Sequence, residues 1–133
     1  MAKEKISQAR QTLARLREEI PGLFGVFFGR ALLLKGYLDS TPRTCGTPRC
    51  CCTRGEKHPA WVMRIPQGRG SRSRSIPEAV YRRLLPLAKE YKRFRQATVR
   101  WRRLVREADQ ALRDIEESRL VDVEAELRRE NEK

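Results

Sequence analysis

Histidine and long apolar runs are scarce in this sequence of 133 residues, and acidic residues are far fewer than basic ones. Only 17 Asp and Glu stand against 30 Lys and Arg, a net charge of +13 that ordinary cytosolic enzymes do not carry. The most apolar run, residues 23–34, is interrupted by two glycines and an arginine and is too short to cross a bilayer, so we expect no membrane span. With one histidine, no paired carboxylates beside a glycine loop and no nucleophile-elbow motif, we predict that the protein is not an enzyme.

We also expect no secretion signal, because the N-terminal segment is charged and amphipathic and has no apolar core. We therefore expect a cytoplasmic protein. Its cysteines would face a reducing environment, where metal binding is more common than disulfide formation.

What the sequence does contain is a dense group of metal-ligating side chains. All four cysteines and the only histidine lie between Cys45 and His58, in a stretch that also holds two glycines and a proline. Cys45, Cys50, Cys52 and His58 offer three sulfurs and one imidazole to a tetrahedral ion, so we predict a structural Zn²⁺ with no position open for catalysis. Cys51 lies between two ligands and is expected to point away. Another metal or cluster, free thiols, a redox pair and a disulfide are the alternatives.

Positive charge is concentrated in the middle of the chain. Residues 29–106 hold 20 Lys and Arg and 4 Asp and Glu, whereas residues 107–133 hold 5 and 10. Such a region favours anionic partners, nucleic acid first and an acidic membrane surface or acidic protein second. The predicted nucleic-acid-binding residues flank the cysteine loop and a hairpin: Arg49, Arg54, Lys57, Arg64, Arg69, Arg72 and Arg74. A solvated cationic surface is the alternative.

Two further groups have weaker claims on nucleic acid. Basic residues between positions 92 and 106 lie on a predicted long helix, where some of them flank an apolar seam. Trp61, Tyr81 and Tyr91 can stack on bases, although core packing is the favoured role at these spacings.

Apolar spacing predicts a helix over residues 2–20 that ends at Pro21-Gly22. Its stripe consists of Ile6, Ala9, Leu13, Leu16 and Ile20. Strands are expected at 30–38, 60–65 and 71–75, and the cysteine loop would join the first two of them in a three-stranded antiparallel sheet. Arg72 and Arg74 would then share one face of the third strand.

A long heptad helix is predicted to begin at Ile76-Pro77-Glu78. Its apolar seam runs from Val80 to Ile115 and includes Thr98, Trp101, Val105, Ala108 and Leu112. A break is expected near residues 117–119, before a short polar helix. We predict that the first helix pairs antiparallel with part of this seam and that a homodimer or a larger complex buries the rest.

The predicted fold class is therefore α+β, with three parts. They are an amphipathic helix over residues 1–22, a small sheet with a metal loop over residues 23–76, and a coiled-coil-like helix with an acidic tail over residues 77–133.

The order of these features resembles a small, largely uncharacterised family of bacterial and archaeal proteins. In that family a CGxPxCxCxxGxxH segment precedes an aromatic strand, a glycine turn, a basic strand and an I-P-x-E helix start. The match covers roughly residues 29–105 and rests on Cys45-Gly46, Pro48, Cys50, Cys52, Gly55, His58, Trp61, residues 68–74 and Ile76-Pro77-Glu78. The resemblance implies an association with transposons, phages or plasmids and no established activity. Two departures are Cys51, where the family usually has arginine, and Pro86, where it has a large apolar residue.

These observations predict a non-catalytic protein that binds DNA or RNA and serves as an accessory or regulator of a mobile element or nucleoprotein complex. The alternative is a protein-interaction adaptor whose working surface is the heptad helix.

Overall fold

The computed structural model describes residues 2–133, which form three α-helices and one three-stranded antiparallel sheet. In chain order the elements are α1 (Ala2–Phe27), β1 (Tyr37–Ser40), a 3-10 turn (Cys51–Arg54), β2 (Trp61–Gln67), β3 (Gly70–Ser75), α2 (Glu78–Arg119) and α3 (Val123–Asn131). The α+β class and the order helix, sheet, long helix are confirmed. Among residues 2–133, no helix combines the length and the apolar character that crossing a bilayer requires.

The chain divides into two compact units, and α2 contributes to both. One unit, called here the helical unit, contains the residues up to Phe28 and Ala97–Lys133. The other, the sheet unit, contains Gly29–Gln96, and therefore the whole sheet, the cysteine loop and the first part of α2.

In the helical unit, α1 and the second part of α2 pack as an antiparallel pair. Their buried positions recur every seven residues and comprise Ala9, Leu16 and Leu23 on α1 and Ala97, Leu104 and Ala111 on α2. The antiparallel direction follows from ion pairs in which early residues of α1 meet late residues of α2: Lys5 contacts Asp114, and Glu19 contacts Arg100. This heptad spacing keeps one stripe of each helix against its partner, as the sequence predicts.

The predicted end of α1 at Pro21 was wrong, because the helix continues to Phe27 with Pro21 inside it. A proline removes one backbone hydrogen bond of the helix interior and disfavours the preceding turn. The residues that follow it nevertheless extend the apolar stripe: Leu23 is buried, and the Phe27 ring meets Trp101 edge-on at a centroid distance of 6.2 Å. Burial of these side chains against α2 therefore outweighs the local cost of the proline.

The predicted seam of α2 was displaced by one residue over part of its length. Trp101 and Ala108 do pack against the buried cluster, but Leu104 is fully buried while Leu112 is 53% exposed. The stripe that faces α1 also includes two alanines, which a search for large apolar side chains passes over. Small side chains at these positions allow the two helices to approach closely.

The predicted break at the end of the long helix is confirmed. Helix α2 begins at Glu78, runs without interruption past Pro86 and ends at Arg119. Asp122 then caps α3, because its carboxylate accepts a hydrogen bond of 3.1 Å from the backbone N–H of Ala125.

The sheet has the order β1-β2-β3, with antiparallel pairing throughout. Its first strand is Tyr37–Ser40 rather than the predicted 30–38, and residues 30–35 have no regular structure. Consecutive leucines at positions 32–34 do not alternate between two faces as a half-buried strand requires. The β2–β3 turn is tight, with Gly68 at a φ of +59°, a value that suits the first central position of a type II′ hairpin.

Candidate metal centre and cationic surface

The cysteine loop is an insertion between β1 and β2, closed at its base by backbone hydrogen bonds. Arg43 and His58 form an antiparallel bridge in which each N–H donates to the other's carbonyl at 2.8 Å. One step closer to the sheet, the N–H of Thr41 donates to the carbonyl of Ala60 at 3.1 Å. The sheet register therefore continues into the loop and fixes the position of His58.

Within the loop, two turns bring the cysteines back toward that histidine. The N–H of Cys50 donates to the carbonyl of Thr47 at 3.1 Å, and the 3-10 turn Cys51–Arg54 follows directly. Gly46 and Gly55 have φ values of +78° and +116°, which only glycine adopts without strain. The glycines of the motif are thus required for the path of the backbone.

Cys45, Cys50, Cys52 and His58 converge on one point. Their ligating atoms all lie within 4.8 Å of one another. Cys45 Sγ lies 3.5 Å from Cys52 Sγ, and Cys50 Sγ lies 3.0 Å from His58 Nε2. In a tetrahedral zinc site with Zn–S bonds of about 2.3 Å, neighbouring sulfurs are about 3.8 Å apart. The donor types and their separations therefore fit a four-coordinate metal ion.

The local environment favours thiolate on two of these cysteines. Hydrogen bonds from the Thr47 side chain and backbone, followed by contacts with the thiols of Cys52 and Cys50, lower the pKa of Cys45 to about 6. The backbone N–H of Cys52 and then His58 lower the pKa of Cys50. The hydrogen bond with Cys50 in turn raises the pKa of His58, because an imidazolium beside a thiolate is stabilised.

Cys52 differs from the other two ligands because its side chain is only 2% exposed. A hydrogen bond from the N–H of Cys45, 3.3 Å from the sulfur, acts to lower its pKa. Burial and the neighbouring thiols of Cys45 and Cys50 oppose that bond, and the net result is a raised pKa. A cation bound where the four ligating atoms converge would reduce the repulsion between these sulfurs.

Cys51 lies outside the convergent group, as predicted, and is exposed. All four cysteines are free thiols, so the loop holds no disulfide. The sequence did not predict that Thr47 would lower the pKa of Cys45. The only feature that could have indicated it is a hydroxyl two residues after a candidate ligand.

The seven predicted nucleic-acid-binding cations do not form one continuous face. Arg72 and Arg74 share a face of the sheet, as expected, because they pair with Ile65 and Met63 of β2. Arg64 alternates with those two residues along β2 and therefore points to the opposite face. Arg64 thus lies on the other face of the sheet from Arg72 and Arg74, although all three flank the hairpin as predicted. The other four are exposed, in the hairpin turn and the cysteine loop: Arg69, Arg49, Arg54 and Lys57.

The folded chain separates its charge between the two units. The sheet unit, Gly29–Gln96, contains 16 Lys and Arg and 4 Asp and Glu, a net charge of +12. The rest of the chain contains 14 and 13, a net charge of +1. In the helical unit, cations such as Lys5 and Arg15 pair with carboxylates across the two helices. Nearly all of the uncompensated charge therefore belongs to the unit that carries the metal centre.

Comparisons with protein-family models, with curated protein sequences and with solved structures found no match to this chain.

Proposed function

We propose that the protein is a non-catalytic nucleic-acid-binding protein whose cysteine loop is held by a structural zinc ion. The observation that carries the proposal is the net charge of +12 in the sheet unit, Gly29–Gln96, beside a convergent group of three sulfurs and one imidazole. A surplus of this size attracts polyanions, and phosphate contacts supply most of the affinity of non-specific nucleic-acid binding.

The chemistry of the donors supports zinc as the metal. Three thiolates and one imidazole form one of the common structural zinc sets, and four protein ligands leave no position for a substrate or an activated water. An ion at this point would stabilise the loop that carries Arg49, Arg54 and Lys57. The metal would thus hold the cationic side chains in place without taking part in a reaction.

The biological setting is an accessory or regulatory role in a mobile element or nucleoprotein complex. It is supported by the resemblance of the Cys45–His58 segment to the CGxPxCxCxxGxxH motif.

A salt titration tests the nucleic-acid proposal. Binding of the protein to a labelled random oligonucleotide, single-stranded or duplex, would be measured by fluorescence anisotropy at about 50 to 200 mM salt. The observed association constant should fall by at least about tenfold over this range if several phosphates are contacted. Replacing Arg72 and Arg74 together by glutamine should lower the slope of log K against log salt for a duplex by about 1.8.

The matched control replaces Arg128 and Arg129 of α3, which are also neighbouring exposed arginines but lie in the nearly neutral helical unit. This variant should bind like the wild type. Absence of binding by the wild type at low salt would overturn the proposal.

A second candidate function is that of a protein-interaction adaptor. It is favoured by apolar side chains that stay exposed near the end of the chain, among them Leu112, Leu120 and Leu127 at 53%, 69% and 55% exposure. A homodimer or a complex subunit would cover them. Light scattering that gives twice the chain mass, together with failure to bind oligonucleotides, would favour this function.

A further inference from the structure

Two cavities in the sheet unit share part of their lining, beside β1 and the first part of α2. Their volumes are about 360 and 350 Å³, and both are lined by Gly36, Tyr37 and Tyr91. Each is within the size range of small-ligand sites in proteins. We refer to the pair as the tyrosine groove.

The two tyrosines give the groove its aromatic walls. Tyr37 is a strand residue that is 60% exposed, and Tyr91 of α2 is half-buried. The first cavity is also lined by the apolar residues Leu38, Leu85 and Ala88. An exposed aromatic ring offers a flat surface on which another ring can stack.

The rim of the groove is cationic. Five exposed basic residues contribute to the two linings, and neither lining contains an aspartate or a glutamate; the cations are Lys35, Arg64, Lys89, Lys92 and Arg95. Among residues 2–133, the ion pairs do not include Lys35, Arg64, Lys89 or Lys92. Their charges are therefore not neutralised within the protein.

Backbone contacts fix the positions of the residues that line the groove. The N–H of Leu34 donates to the carbonyl of Leu87 at 3.1 Å, which ties the segment before β1 to α2. A Cβ on Gly36 would lie 3.0 Å from the carbonyl oxygen of Arg64, a tight contact, so glycine favours the close approach of the residue before β1 to β2. Tyr37 and Arg64 are direct cross-strand partners, and their side chains point to the same face of the sheet.

We propose that the tyrosine groove binds single-stranded nucleic acid, with unpaired bases stacked on Tyr37 and Tyr91 and the phosphates held by the surrounding cations. This inference rests on the proposed function and deepens it, because it names the form of nucleic acid and the place where it binds. Aromatic platforms beside cations that follow a backbone are the common means of binding single strands without sequence preference. A duplex keeps the faces of its bases stacked on each other, so it cannot use the two rings.

Oligonucleotides that differ only in their bases test the proposal. Wild-type protein would be titrated with a labelled oligothymidylate, with an abasic strand of the same length and charge, and with a duplex. The oligothymidylate should bind about 5- to 150-fold more tightly than the abasic strand, the range expected for stacking of one base. Tyr37→Ala should reduce this preference, because only the half-buried Tyr91 then remains to stack a base, and Tyr37→Phe, which keeps the ring, should retain it.

Phe28→Ala is the matched control, because Phe28 is an aromatic residue that is 78% exposed but lies outside the sheet unit. It should leave the preference unchanged. Photocrosslinking of wild-type protein to an oligonucleotide with iodouracil, followed by peptide mapping, provides a readout that needs no substitution. Crosslinks at Tyr37 or Tyr91 support the proposal.

Failure of the groove and failure of the proposed function give different results. If the wild type binds the oligothymidylate and the abasic strand equally and Tyr37→Ala changes nothing, the tyrosine groove is not the site, while nucleic-acid binding stands. Tighter binding of the duplex with crosslinks confined to the Arg72–Arg74 face would also overturn the groove. If no oligonucleotide binds at low salt, nucleic-acid binding itself is refuted and the groove proposal fails with it.

Discussion

The sulfur of Cys50 lies 3.0 Å from Nε2 of His58, although eight positions separate the two residues. The contact depends on two separate structures. The bridge between Arg43 and His58 places the imidazole at the base of the loop, and the turn that begins at Thr47 brings the sulfur back to it. The candidate metal site is thus built on the sheet rather than on an independent loop.

We predict that Cys50→Ser removes the metal from purified protein. Wild type should retain about one zinc ion per chain, since one four-ligand site is present. Loss of a direct ligand should weaken zinc binding by more than about 100-fold, because even outer partners of metal ligands are worth about 10- to 100-fold. Zinc content measured by mass spectrometry after dialysis checks this. Cys51→Ser is the control and should keep full content, as Cys51 lies outside the convergent group; equal zinc in both variants would exclude Cys50 as a ligand.

Zinc affinity should fall as the pH falls, because thiolate and neutral imidazole bind the metal and protons compete for them. The raised pKa of Cys52 means that its proton is displaced throughout the neutral range, so affinity should drop by at least about tenfold per pH unit near pH 7.5. The drop should steepen as the pH falls through the raised pKa of His58 and then through that of Cys45, about 6, because each ligand in turn also holds a proton. Competition with a chromophoric chelator between about pH 5 and 8, at intervals of about 0.5 unit, would measure the slope. A pH-independent affinity would argue against thiolate ligation.

The displaced seam of α2 can be tested with one pair of leucines. Leu104→Ala should lower the free energy of unfolding by about 2–5 kcal/mol, because it opens a cavity at a fully buried position. Leu112→Ala, at a position that is 53% exposed, should change it by about 0.5 kcal/mol or less in the isolated chain. Urea denaturation followed by circular dichroism measures both. The reverse order of the two effects would mean that α1 packs on the seam expected from the sequence.

Two glycine-to-alanine substitutions should have opposite effects on stability. Gly22 lies inside α1, and a Cβ added there would meet no atom of the surrounding fold within 4 Å, so Gly22→Ala should stabilise the protein by about 0.5–1 kcal/mol. Gly55→Ala should destabilise it by about 1–2 kcal/mol, because a φ of +116° strains any other residue. Thermal unfolding of the two variants would show the difference in sign. A stabilising Gly55→Ala would contradict the backbone path given for the cysteine loop.

The candidate ligands, the break near residue 119 and the α+β order could all be predicted from the sequence alone. These features depend on local chemistry. Cysteine and histidine are the only soft donors clustered in the chain, glycines allow the tight turns between them, and the helical period of about 3.6 residues is visible over many turns. Arg72 and Arg74 could be assigned to one face of a strand without knowledge of the neighbouring strand, because alternate residues of a strand point to the same side.

Features that depend on contacts between helices or on strand register could be learned only from the tertiary structure. Two neighbouring stripes on α2 satisfy the heptad spacing equally well, and only the contact with α1 selects Leu104 over Leu112. The same contact with α2 stabilises the part of α1 that continues beyond Pro21. Strand register sends Arg64 to the face of Tyr37, away from Arg72 and Arg74. Ion pairs across the helical unit, such as Lys5 with Asp114, join residues that are distant in sequence, so only the folded chain neutralises these charges.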